Sequence, residues 1–270
     1  MRAEFSDPAE LRRQIRARRF EAPTTGQAGG SLQANLAILP RALAGDFLAF
    51  CVKNPKPCPL VGVAEAGARR IPALGADLDL ATDVPFYRVF RDGERLDRVA
   101  DLLPFWRDDL VTFAVGCSFS FEASLLRAGI PVRNLEAGRN VPMYVTSIET
   151  AAAGPFGGPM VVSMRAFRPS DAIKAIVLSD RQPLAHGAPV HIGDPAAIGI
   201  GDLGAPDFGD PPVMEEGDIP VFWGCGVTPQ IAIARARPDL AITHEPGHML
   251  VTDIPAEGAS IGIMRPPGSL

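Results

Sequence analysis

Apolar residues along the chain fall into short runs closed by Gly, Pro, Asn or Asp. Val111–Val115 is apolar apart from Thr112 and stops at Gly116; Pro220–Trp223 stops likewise at Gly224. Runs of this length, bounded by glycine, predict strands buried on both faces. After Pro40 the period changes. Leu43, Phe47 and Phe50 recur at helical spacing, and the pattern ends before Asn54-Pro55, where the residue preceding proline disfavours helix. Asp7-Pro8 followed by Glu10 predicts a further helix start, with a cap, a proline in the first turn and an acid at the positive end. Its arginines, Arg12 to Arg19, predict a solvated face. Glu4, Asp7 and Glu10 argue against a targeting peptide, since such peptides are poor in acids. Strands and helices mixed in this way predict an α/β fold with mixed sheets and packed helices.

The pattern also repeats. Gly116-Cys117-Ser118-Phe119-Ser120-Phe121-Glu122 and Gly224-Cys225-Gly226-Val227-Thr228-Pro229-Gln230 each follow a strand and open a helix containing an Arg-Ala pair. Glu136-Ala137-Gly138 and Glu245-Pro246-Gly247 follow. Then come Met143-Tyr144-Val145-Thr146 and Met249-Leu250-Val251-Thr252. Upstream, Arg41-Ala42 with Asp46 mirrors Arg165-Ala166 with Asp171. An ordered series of shared features predicts two diverged copies, near 33–148 and 157–254, packed about a pseudo-twofold axis. The predicted organisation is an N-terminal helix and arm (1–32), a first α/β repeat (33–156) and a second (157–270). A cleft between the copies is the expected ligand site.

Composition narrows the partners. The 270 residues carry a net charge of −5 with 7% aromatics, so neither nucleic acid nor an anionic membrane surface is expected to bind. No apolar run approaches the ~20 residues a membrane-spanning helix needs. Four cysteines without a CxxC pair fit a reduced, cytoplasmic setting.

Each Gly-Cys loop places free amides and the positive end of a helix beside a thiol. That suits holding a carboxylate or lowering a thiol's pKa, with Ser120 and Thr228 as candidate helix caps. Buried filler is the plainer role for Cys117 and Cys225. His244-Glu245-Pro246-Gly247-His248 matches the zinc pattern H-E-x-x-H, but Pro246 and Gly247 oppose the helix that pattern requires. The segment is instead expected to be a loop that brings His244, Glu245 and His248 to a proton-transfer site, with structural turn histidines as the alternative. His186 and His191 form a second pair. Arg139 with Asn140, and Arg165, are candidate carboxylate clamps, surface ion pairing being the alternative.

These strings resemble the D-glutamate cyclase family, which is also described as a family of hydro-lyases. The resemblance rests on Gln33-Ala34-Asn35-Leu36, the two Gly-Cys strings, Asn140-Val141-Pro142-Met143-Tyr144, Gly158–Arg165, His186–Pro195 and His244–Asp253. It covers nearly all of the chain after the first helix, departing at Gly29-Gly30-Ser31-Leu32. It implies a lyase, dehydrating D-glutamate to 5-oxo-D-proline or acting on a related small acid. From the residues themselves, the roles expected are acid–base chemistry by His244, Glu245, His248 and Glu136, with Cys117 and Cys225 beside them. Substrate contacts are expected from Ser118, Ser120, Arg139, Asn140, Arg165, Thr228, His186 and His191. No metal or other cofactor is expected. The partner is a small carboxylate, and a homo-oligomer is left open. Two rivals stand beside this: a cofactor-independent racemase or epimerase using two cysteines, and a carboxylate-binding regulator.

Overall fold

The computed structural model describes residues 5–258. Helix α1 (Pro8–Arg16) starts as expected, with Asp7 accepting the Ala9 amide at 3.0 Å. Its basic face is not simply solvated. Arg12 is fully buried against strand β11 (Leu250–Pro255), donating to Val251 O at 2.8 Å and pairing with Asp77 and Asp253. A guanidinium can be buried there because two carboxylates and a carbonyl take donors from both terminal nitrogens and Asp83 lies 3.9 Å from Nε.

Two antiparallel sheets form the frame. The first is ordered β2 (Leu60–Val63), β5 (Leu110–Gly116), β1 (Ser31–Pro40), β10 (Ala241–His244), β3 (Tyr87–Arg91), β4 (Glu94–Val99), with β11 also beside β1. The second is ordered β6 (Met143–Glu149), β7 (Pro159–Phe167), β9 (Ile219–Gly224), β8 (His191–Ile192). The series β2-β5-β1-β11 in one sheet therefore parallels β8-β9-β7-β6 in the other. The sheets also exchange chain. β10 and β11, from the C-terminal part, complete the first sheet, while β6 belongs to the second. The class is α/β, as the pattern of runs implied.

Strand β1 reads as a nearly continuous apolar run because both its faces are covered. Leu36 and Ile38 pack with Leu80, Tyr87 and Ile242 on one side. Ala37 and Leu39 pack on the other with Phe47 and Phe50 of α2 (Arg41–Lys53) and Ile233 of α6 (Thr228–Ala236). In the second sheet Phe167 and Trp223 pack with Phe121 and Leu125 of α3 (Phe119–Arg127) and Ala172 of α5 (Pro169–Asp180). Helix α3 thus leaves the first sheet and packs on the second, whereas α6 does the reverse. Both crossings draw the strand-to-helix loops together. Short helix α4 (Arg133–Glu136) precedes β6. Among the described residues no helix is long and apolar enough to cross a membrane.

Candidate active site

The strands end at glycine because a side chain has no room. A Cβ on Gly116 would stand 1.6 Å from Leu184 O, and one on Gly224 would stand 3.0 Å from Lys56 O. Each following cysteine accepts an amide two residues on, from Phe119 to Cys117 and from Val227 to Cys225. The sulfurs therefore occupy the place expected for Ser120 and Thr228, which do not cap. Their hydroxyls lie within the first helical turn and latch the neighbouring central strand. Gln33 N–H donates to Ser120 Oγ at 2.8 Å, and Val161 N–H donates to Thr228 Oγ1 at 3.0 Å.

The two loops lie side by side. Cys117 and Cys225 belong to one apolar cluster with Val161 and Met249. Asn35 of β1 donates to Gly116 O at 2.7 Å, and its amide also lies against Gly226, where a Cβ would fall 2.0 Å from Nδ2. On β7, Ser163 Oγ stands 3.3 Å from Ser118 Oγ. Arg165 donates to Ser118 Oγ at 3.1 Å, Ser163 Oγ at 3.3 Å and Glu122 Oε1 at 2.6 Å, with its guanidinium 4.8 Å from the Phe121 ring. Glu122 accepts from Thr25 at 3.0 Å through its other oxygen. The Arg165 fork is thus engaged within the protein. It positions two serine hydroxyls instead of standing open as a carboxylate clamp.

Burial decides the thiol chemistry. Desolvation pushes Cys117 well up and Cys225 up to about 11, although the helix-start amides and Arg165 act in the opposite direction. The depressed thiol pKa expected from the helix ends is therefore overturned, since a thiolate removed from water costs more than these dipoles recover.

His244 ends β10 and is fully buried. Its Nδ1 lies 3.1 Å from Leu36 N and 3.4 Å from Leu36 O; the shorter contact, with Nδ1 accepting, leaves the neutral ring's proton on Nε2, which has no partner among the described residues. Burial holds its pKa down to about 3. His186, in the left-handed region at φ 77°, donates from Nδ1 to Lys56 O at 2.7 Å and keeps Nε2 as an unpartnered acceptor; burial lowers its pKa to about 4. One imidazole thus presents a donor and the other an acceptor.

Glu245–Met249 is a bulge, not a helix. β10 and β11 lie on the same side of β1, from Ala37↔Thr243 to Ala34↔Leu250, and the extra residues loop out between them. Gly247 packs on the Asn140 side chain, while the Asn140 backbone N–H donates to Asp210 at 2.7 Å. His248 faces away, edge-on to Phe86 at 5.6 Å with Nδ1 on Pro246 O at 3.2 Å. Glu245 is spent on Arg88 at 2.7 Å. Glu136 and Arg139 are exposed at the end of α4, and His191 sits on edge strand β8 with Nε2 2.7 Å from Asp194 O. Glu245, His248, Glu136, Arg139 and His191 do not join the loop pair. Sequence reasoning missed Asn35, Glu122, Ser163 and Gln230. Each is a buried polar residue, mid-strand for Asn35 in β1 and Ser163 in β7 and in the first helical turn for Glu122 and Gln230, a legible signal once the register is known.

A family model described as D-glutamate cyclase matches residues 111–253. A protein of Methylobacterium radiotolerans is 59% identical over 250 residues, covering 93% of this chain and 92% of its own. One of Bordetella pertussis is 58% identical over 232 residues (86% and 84%), and one of Paraburkholderia phytofirmans is 59% identical over 248 (92% and 96%). Each carries the name "Putative hydro-lyase". Among solved structures, a nitrogen repressor-like protein of Methanococcus jannaschii aligns over 92% of this chain and 98% of its own, with a TM-score of 0.39 and 9% identity. The class is an α/β enzyme, a lyase. The chain belongs to the D-glutamate cyclase family.

Proposed function

We propose that the chain is a hydro-lyase that closes D-glutamate to 5-oxo-D-proline, or dehydrates a closely related small acid, at the paired Gly-Cys loops. The observation that carries this reading is the juxtaposition of two helix starts through one side chain, Asn35, which touches Gly116 and Gly226 together. Each start offers positive potential, and a dicarboxylate has an anionic group for each. In the reaction the α-nitrogen bonds to the γ-carboxyl carbon. The ammonium gives up protons, and one carboxyl oxygen leaves as water. A nitrogen proton passes by way of His186 Nε2, whose pKa near 4 keeps it from retaining the proton, to the departing oxygen, which takes up two protons in all and leaves as water. His244 Nε2–H, fixed as a donor by Leu36, meets the oxyanion that develops on the carboxyl. Arg165 and Glu122 act as a neutral pair that orients Ser118 and Ser163.

The raised thiol pKa values weigh against a two-cysteine racemase, which needs a thiolate on one side. The experiment is incubation of the purified protein with D- and L-glutamate and acidic hydroxy acids, with product mass detection. Loss of one water from an acid supports the reading. Saturable binding with no turnover of any acid points to a regulator and would overturn it.

A further inference from the structure

Among the described residues the exposed large apolar side chains are unevenly spread. Leu48 and Val52 on α2 and Val63 on β2 are 42%, 67% and 41% exposed, and Ile173 and Val177 on α5 are 66% and 50% exposed. The first three line a groove of about 670 Å³ between α2 and the end of α5, whose lining also includes Cys58, Pro59 and, on the side toward the Gly-Cys loops, His186. Ile173, Val177 and Asp180 follow at i, i+4 and i+7, so they share one face of α5, and Asp180 reaches the groove rim. An apolar hollow thus lies beside an apolar ridge on one face of the molecule. Scattered exposed apolar residues are ordinary, but a concentration of them around a groove marks an interaction surface.

We infer that this face is the interface of a homodimer, each copy's α5 ridge entering the other's groove. The occupant follows from charge. The rim carries one cation, Lys56, and one anion, Asp180, which acts on Lys56 within the same chain without a direct ion pair among the described residues. Under a twofold axis such a rim is self-complementary, because each Lys56 can meet the other copy's Asp180, and twofold dimers are the commonest oligomers. Two of the Lys56 ammonium donors are held by Ala188 O at 2.7 Å and His186 O at 3.3 Å, which aims the group and leaves a third donor for a partner carboxylate. The groove lining has a second attachment. Pro59 O accepts the Gly116 amide at 2.8 Å, and Lys56 O closes over Gly224. A partner filling the groove would brace the segment that backs both Gly-Cys loops.

The test is sedimentation of the full chain at tens of micromolar. Wild type is expected to be a dimer and Val52→Asp a monomer. Lys56→Glu and Asp180→Lys should each dissociate alone, since each homodimer then sets like charges opposite one another. Mixed in equal amounts they should reassociate, because both cross-pairs regain opposite charge. A same-chain effect of either change is not repaired by mixing. Leu126→Asp, an exposed apolar position on α3 away from the groove, serves as the control and should remain dimeric. A monomeric wild type, a dimer that survives Val52→Asp, or single variants whose mixture stays monomeric would each overturn the inference. Circular dichroism of each variant separates dissociation from unfolding; if Val52→Asp does not fold, the mixing arm decides alone.

Discussion

At the loop after β5, Ser118 shares the Arg165 guanidinium with Ser163 and Glu122. At the loop after β9, Gly226 occupies the corresponding place against the neutral amide of Asn35, and Gln230, where the first loop has Glu122, donates to His244 O at 3.1 Å. The backbone frame is the same in both: a wedged glycine, a sulfur accepting an amide, and a hydroxyl latched to a central strand. Charge is concentrated at one loop and absent from the other. A substrate with one spectator carboxylate and one reacting carboxyl has ends that differ in the same sense. The neutral side, next to His244, is where a developing oxyanion gains most from a fixed donor in a dry setting.

The largest expected effect separates the loops by charge. Glu122→Ala leaves Arg165 buried without its carboxylate, and loss of one partner of a buried pair costs about 3–5 kcal/mol. Gln230→Ala removes a neutral hydrogen bond, worth about 1 kcal/mol. Urea midpoints of the two variants measure this, and equal losses would dissolve the distinction.

Three buried histidines make stability depend on pH. Burial lowers all three below the ordinary 6.5, His186 to about 4 and His244 to about 3, so the unfolded chain binds more protons in between; the two deepest, His186 and His244, dominate. Their contribution is complete above pH 6.5 and is lost as pH falls toward the folded values. The slope is up to roughly 1.4 kcal/mol per pH unit for each ring. Replacing either by Gln should flatten the slope of urea midpoint against pH by about one proton. His244→Ala should also lower the turnover number about a hundredfold with little change in KM, the signature of a donor used only in the transition state.

Much of this was legible in the chain. The strand and helix runs around Gly116 and Gly224 are marked by glycine and period, and α2 stops where Asn54-Pro55 requires. The H-E-x-x-H string is a bulge, as Pro246 and Gly247 dictate. What escaped were long-range partners. That Glu122 neutralises Arg165, that Arg88 takes Glu245, and that Arg12 is buried against Asp77 and Asp253 all depend on which strands lie side by side, which local pattern does not encode. The thiols were misjudged because a helix end is visible in sequence while the depth of burial is not.

Smaller effects sharpen the likeness between the loops. Ser120→Ala and Thr228→Val each strand a buried amide, at Gln33 and Val161, and should cost about 1–2 kcal/mol apiece. Unequal losses in thermal denaturation would show that the two latches are not equivalent. Cys117→Ser and Cys225→Ser should each leave substantial turnover, because neither thiol is placed to ionise at neutral pH.

The most direct measurement follows D-glutamate with the purified enzyme by chiral chromatography and mass detection. The expected product is one water lighter than the substrate and keeps the D configuration, with the rate falling sharply in His244→Ala. Appearance of L-glutamate, abolished by either cysteine replacement, would contradict a hydro-lyase working between one charged and one neutral loop.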